Sequence, residues 1–208
     1  MSTKRSLIRR ATAVAAAATA ALVLAACGGN GDDSGSAHNG HNTASPSASA
    51  PAQQGDHNAA DTAFAQGMIP HHRQAVEMAD LAATRAESAE VKKLADEIKK
   101  AQDPEIKTLS GWLTSWGEQV PAEDAGHGGH DMSGMMTDEE MKQLEAASGK
   151  AFDTAFLTMM VKHHEGAVTM AKTEQADGAY QPAKDMAGQI ITSQSAEIDR
   201  MNTLLGKS

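Results

Sequence analysis

The chain has 208 residues, a formal net charge of −9, only 3% aromatic residues and a single cysteine. The acidic balance argues against a nucleic-acid partner, and one cysteine cannot close a disulfide within the chain. With so few aromatic residues, any core has to be assembled from Leu, Ile, Val, Ala and Met, a composition that favours helices.

Lys4, Arg5, Arg9 and Arg10 precede an Ala-rich apolar run over 11–24. This is the charge pattern and length of an export signal, too short to span a bilayer comfortably. The run ends in Leu24-Ala25-Ala26-Cys27-Gly28, which resembles a bacterial lipobox, where a signal peptidase cuts before a cysteine that carries lipid. On this reading residues 1–26 are removed and the mature protein is held on the outer face of the membrane through lipid on Cys27. The leader takes basic residues with it and no acidic ones, so the mature chain is more acidic still. Acylated Cys27 leaves no thiolate for a metal, and any soft ligand has to be methionine.

Residues 27–55 are Gly, Ser, Ala, Asn and Pro with almost no large apolar side chain. Such a stretch cannot repay the entropy of ordering and reads as a flexible tether. His38 and His41 in this region, and His57 just after it, are weak metal-ligand candidates. Helical patterning runs from about 56 to 116, a polar Gly-rich stretch follows over 117–134, and Thr137-Asp138-Glu139-Glu140 reads as a capping box opening helix that continues almost to the end. Pro70 and Pro104 fall inside these helical stretches and are expected to kink or break them.

The chain repeats itself. Asp61-Thr62-Ala63-Phe64 recurs ninety-two positions later as Asp153-Thr154-Ala155-Phe156, and the same offset pairs Met68 with Met160, His71 with His163 and His72 with His164. Farther on it pairs Met78 with Met170, Gln102 with Gln194 and Glu105 with Glu197. Two helical hairpins, about 56–117 and 148–208, are thus copies of one unit, joined by a His- and Met-rich linker over 118–136. Phe64, Met68, His71, Ala75, Met78 and Ala82 step by three or four along one face of a helix. A hairpin cannot bury such a stripe alone, so residues 56–208 are expected to form an all-α domain, an antiparallel four-helix bundle made of the two hairpins.

Met68 precedes His71 by three residues and His72 by four, so it neighbours both on the helix surface. Met160 stands in the same relation to His163 and His164, and Met78 and Met170 extend the stripe. Imidazole suits copper, zinc, nickel and iron, whereas thioether selects for Cu(I), so copper is the sharper expectation, as Cu(I) or Cu(II). The alternative is that the methionines fill gaps in a core and the histidines are buried polar residues bonded to a neighbouring helix. On the companion helices Gln102 and Glu105, with Gln194 and Glu197, could accept a ring N–H and fix its tautomer. In the linker His127, His130, Met132, Met135 and Met136 form a second, weaker metal-capturing tract.

Phe64, Met68-Ile69-Pro70-His71-His72, Ala75 and Met78-Ala79, with their repeat from Phe156 to Ala171, resemble the hallmark of domain-of-unknown-function family 305. The resemblance covers about 56–205 and implies an exported, ferritin-like helical bundle, with some members linked to copper or silver binding and to copper tolerance. A di-iron oxidase would need Glu-x-x-His on two helices, but Met68, Ile69, Met160 and Val161 occupy the positions three before the histidines. The expectation is therefore a binding protein without catalytic residues, with an envelope interaction module carrying merely structural histidines as the competing reading.

Overall fold

A computed structural model of the chain describes residues 56–122 and 134–207. The leader, Cys27, the tether with His38 and His41, and His127, His130 and Met132 of the linker lie outside the described residues. Among the described residues there are five helices and no strand: α1 (Ala59–Arg85), α2 (Ala89–Trp116), α3 (Asp138–Ala146), α4 (Gly149–Asp177) and α5 (Gln181–Leu204).

In the first hairpin each helix begins where the sequence supplies a side-chain partner for its first N–H groups, whereas α4 and α5 have no side-chain cap. Asn58 caps α1 in a capping box with Asp61, and Ser88 caps α2. Gly117 ends α2 in the left-handed region, at φ 75°. Neither Pro70 nor Pro104 breaks its helix. An interior proline costs about 3 kcal/mol. Ile69 and His71, either side of Pro70, are both fully buried, so packing of that turn offsets the cost. The helical stretch opened by Thr137, by contrast, is interrupted. Ala147 and Ser148 are extended and Gly149 takes φ +60°, which separates the short α3 from α4.

The hairpins α1/α2 and α4/α5 pack against one another through α1 and α4, and α3 lies on that same pair. Two carboxylates fix the pairing. Asp61, in the first turn of α1, accepts from the backbone N–H of Ala179 (3.1 Å) and Tyr180 (2.9 Å) in the α4–α5 turn. Its repeat partner Asp153, in α4, accepts from Glu87 (3.1 Å) and Ser88 (2.9 Å) in the α1–α2 turn. The start of each inner helix is thereby tied to the end of the other, so α1 and α4 run antiparallel.

The core is divided in two. One apolar cluster joins the second half of α1 and the first half of α2 (Ala75, Met78, Leu94, Ile98) to Phe156 and Met160 of α4 and Met201 of α5. The other joins Ala167, Ala171 and Ile190 to Phe64, Met68, Leu109 and Leu113. The two are related by the ninety-two-residue repeat, and α3 closes the first with Met141 and Leu144.

Glu174 departs from this symmetry, since its repeat partner is Ala82. It is 1% exposed, and burial, reinforced by the neighbouring Asp61 carboxylate, pushes its acid up to about 8. A side chain at Gly178 would meet Glu174 Oε1 at 2.3 Å, so glycine there leaves the room that Glu174 fills. The folded-state value lies above the ordinary 4.5, so the stability tied to the neutral acid is complete below about 4.5 and is lost as pH rises through about 8. Glu174→Gln is expected to raise the melting temperature at pH about 9 and to leave it nearly unchanged at pH about 5, read by circular dichroism.

Candidate metal centre

Successive residues on a helix point about 100° apart, so the two histidines of each pair must part company. His71 and His163 face one another where α1 crosses α4, their rings 3.7 Å apart between centroids and tilted by 40°. His72 turns instead to its own hairpin, its Nε2 2.7 Å from Glu105 Oε2 on α2. His164 repeats the arrangement with Glu197 Oε2 on α5, also at 2.7 Å. All four imidazoles are fully buried, and the rings of His163 and His164 lie 6.3 Å apart.

These side chains, with buried Gln102 and Gln194, form a polar layer at mid-height between the two apolar clusters. Buried polar groups are expected to have partners. Here neither ring nitrogen of His163, nor Nδ1 of His72 or His164, nor Oε1 of Gln102 or Gln194 meets hydrogen-bond geometry with any group. Burial first, then the neighbouring His71, His164 and His72 rings, hold protonation of His163 well below the ordinary histidine range. A neutral imidazole keeps the lone pair that a metal ion needs.

The methionines border this layer. Met68 and Met160, one helical turn before their histidine pairs, are fully buried in opposite clusters. Met78 lies deep in the first cluster, two turns beyond His71 and His72, and half-buried Met170 packs against the second. Of the two acceptors offered by each companion helix, the carboxylates of Glu105 and Glu197 engage the imidazoles. No group of three His, Cys, Asp or Glu side chains has metal-holding geometry among the described residues. Imidazole at this level and thioether one turn away are the donors the described residues offer, a mixed set that would suit a soft or borderline cation.

The linker is a point of correction. Met136, expected in a flexible metal-capturing loop, is 1% exposed in the first cluster, while Met135 is half-buried. The Gln74 side chain holds Met136 in place like a strand partner, accepting from its N–H at 2.7 Å and donating to its carbonyl at 2.8 Å. Gly134, at φ +85°, packs on the backbone of α4, where an added Cβ would lie 2.5 Å from the Lys162 carbonyl and 3.0 Å from Gly166 Cα. Arg73 donates to the carbonyls of Pro121 and Ala122 at the other end of the linker. Both linker ends are thus fixed by consecutive residues directly after His71 and His72. The repeat carried a signal for this, since Gln74 pairs with Gly166, a polar side chain against none.

The family described as Domain of unknown function (DUF305) matches residues 61–205. The chain belongs to this family. It is similar to a DUF305 protein of Streptomyces coelicolor described as secreted, at 36% identity and a TM-score of 0.65, over 71% of this chain and 91% of that one. CopM in its Cu(II)-bound form matches at 36% identity and a TM-score of 0.62, over 69% of this chain and 94% of that one. CopM in its Cu(I)-bound form matches at 34% identity and a TM-score of 0.59 over the same shares. CopM is also known in a silver-bound form. No curated protein sequence shows significant similarity to the chain.

Replacing both faces of a buried polar contact by apolar groups of similar size is often neutral or stabilising. The His71→Leu/His163→Leu double variant without metal is therefore expected to unfold in urea within about 2 kcal/mol of the parent, or to be more stable than it. A much larger loss would mean that the facing imidazoles hold the fold together.

Proposed function

We propose that this DUF305 protein binds copper outside the cytoplasm, as a buffer or sequestering protein without turnover. His71, His72, His163 and His164 would supply nitrogen, and Met68 and Met160 sulfur. The observation that carries the reading is the layer of four fully buried imidazoles between two apolar clusters, in which both ring nitrogens of His163 and Nδ1 of His72 and His164 meet no hydrogen-bond partner. Stability alone gives no reason to bury so many polar rings at one level. The similarity to CopM, known in Cu(II), Cu(I) and silver forms, supports copper as the cargo and silver as a mimic of Cu(I).

The purified protein is expected to retain copper through dialysis against a weak chelator, measured by elemental analysis, and the His71→Leu/His163→Leu variant to lose it. Met160→Leu conserves volume and costs less than about 1.5 kcal/mol of stability. It is expected to weaken Cu(I) retention more than Cu(II) retention, because thioether favours the softer ion. Retention by the double-histidine variant equal to the parent's would refute the assignment.

Lipid on Cys27 would hold the mature chain at the outer face of the membrane, with the metal-binding bundle beyond the tether. The similar Streptomyces coelicolor protein, described as secreted, supports export. Cys27→Ser is expected to move the protein from the membrane fraction to the soluble fraction, read by immunoblot, and to abolish incorporation of labelled palmitate.

A further inference from the structure

We propose that Glu105 and Glu197 are positioning residues that fix His72 and His164 as Nε2–H tautomers, leaving Nδ1 of each ring as the atom that ligates the cation. The inference rests on the metal-binding reading above and specifies which atoms carry it. Each imidazole has two nitrogens, and the protein treats them differently. Nε2 of His72 lies 2.7 Å from Glu105 Oε2, and Nε2 of His164 lies 2.7 Å from Glu197 Oε2. Nδ1 of both rings is buried and meets no hydrogen-bond partner. The rings are fully buried, whereas the two carboxylates keep 21% and 20% of their side-chain surface exposed.

Three proton arrangements are conceivable for each ring, and the contacts separate them. With the proton on Nδ1 alone, the Nε2 lone pair would face carboxylate oxygen at hydrogen-bond distance, and an N–H donor would be buried without an acceptor. With protons on both nitrogens, the Nε2 contact is satisfied but the same orphaned donor remains. A buried donor left unsatisfied costs about 1–3 kcal/mol. With the proton on Nε2 alone, the carboxylate accepts a charge-assisted hydrogen bond and the buried Nδ1 keeps an unprotonated lone pair. Only this arrangement leaves no donor stranded. It also raises the basicity of the ring toward a metal, as carboxylate–histidine pairs do at metal sites.

The duplication makes the argument twice over. Glu105 and Glu197 occupy equivalent places in the two hairpins, and both contacts have the same length and use the same atoms. Gln102 and Gln194, one turn earlier on the same helices, are also buried, yet their Oε1 atoms meet no partner. The carboxylates rather than the amides are therefore the orienting groups.

The test is long-range 1H–15N correlation on the full mature protein labelled with 15N, without metal and then titrated with Ag(I), a diamagnetic probe. The expected spectrum has His72 and His164 protonated on Nε2, with Nδ1 bearing a free lone pair, and Ag(I) shifts the Nδ1 resonances. Glu105→Gln and Glu197→Gln are expected to give mixed tautomers at their own histidines and to lower Ag(I) affinity by about tenfold or more. Nδ1–H tautomers in the metal-free protein, or Ag(I) bound through Nε2, would overturn the inference while leaving metal binding itself intact. Nε2–H tautomers with no Ag(I) bound would instead sink the metal-binding reading and the ligating role together. The parent spectra alone decide the matter if the variants fail to fold.

Discussion

Everything in this fold hangs on the antiparallel contact between α1 and α4. Because the two inner helices cross with His71 on His163, the consecutive His72 and His164 are turned outward to their own hairpins. The apolar stripes are cut at that level, leaving one cluster on either side. Asp61 and Asp153 enforce the crossing from its two ends, each joining the start of one inner helix to the turn of the opposite hairpin. A slip of one residue along α1 would rotate the helix by about 100° and carry His71 out of the interface. Register, core division and histidine geometry are therefore a single constraint.

That constraint explains why polar groups survive in the middle of the bundle. A hairpin pair with an uninterrupted Leu and Ala seam would bury the same helices at lower desolvation cost. What the layer supplies instead is a set of buried imidazoles, two of them braced by carboxylates that reach solvent. On the metal-binding reading proposed above, such donors would already be desolvated before a cation arrives. The methionines on either side add polarizable sulfur without further charge.

Much of this is legible in the amino-acid sequence. The all-helical class, the two hairpins and their mutual packing follow from the repeat and from stripes such as Phe64, Met68, His71 and Ala75, because helical period and hairpin burial are local rules. The histidines and their companion glutamates stood out because both occur twice at the same offset. Other features were not legible. Proline was expected to kink or break α1 and α2, and neither helix is interrupted, since the tertiary packing around Ile69 and His71 outweighs the loss at Pro70. The break between α3 and α4 turns on Gly149 and on the reach of Asp153 to another hairpin, which no local pattern encodes. Met136 read as part of a soft, mobile tract because its neighbours are Gly, Ser and His, whereas the long-range pairing with Gln74 decides its place.

The strap at Gly134 to Met136 touches Gln74 of α1 and Gly166 of α4, positions that the internal repeat makes equivalent. A segment seated on a rotation axis cannot itself obey the rotation. One side of it must meet a group that reaches out and grips, the other a bare stretch of main chain. Two identical hairpins would have to offer the same residue to both sides, so a connector can be ordered at this spot only in a fused chain whose halves are free to diverge. Gln74 against Gly166 is one place where two-fold equivalence has been given up to seat the connector, as Glu174 against Ala82 is another.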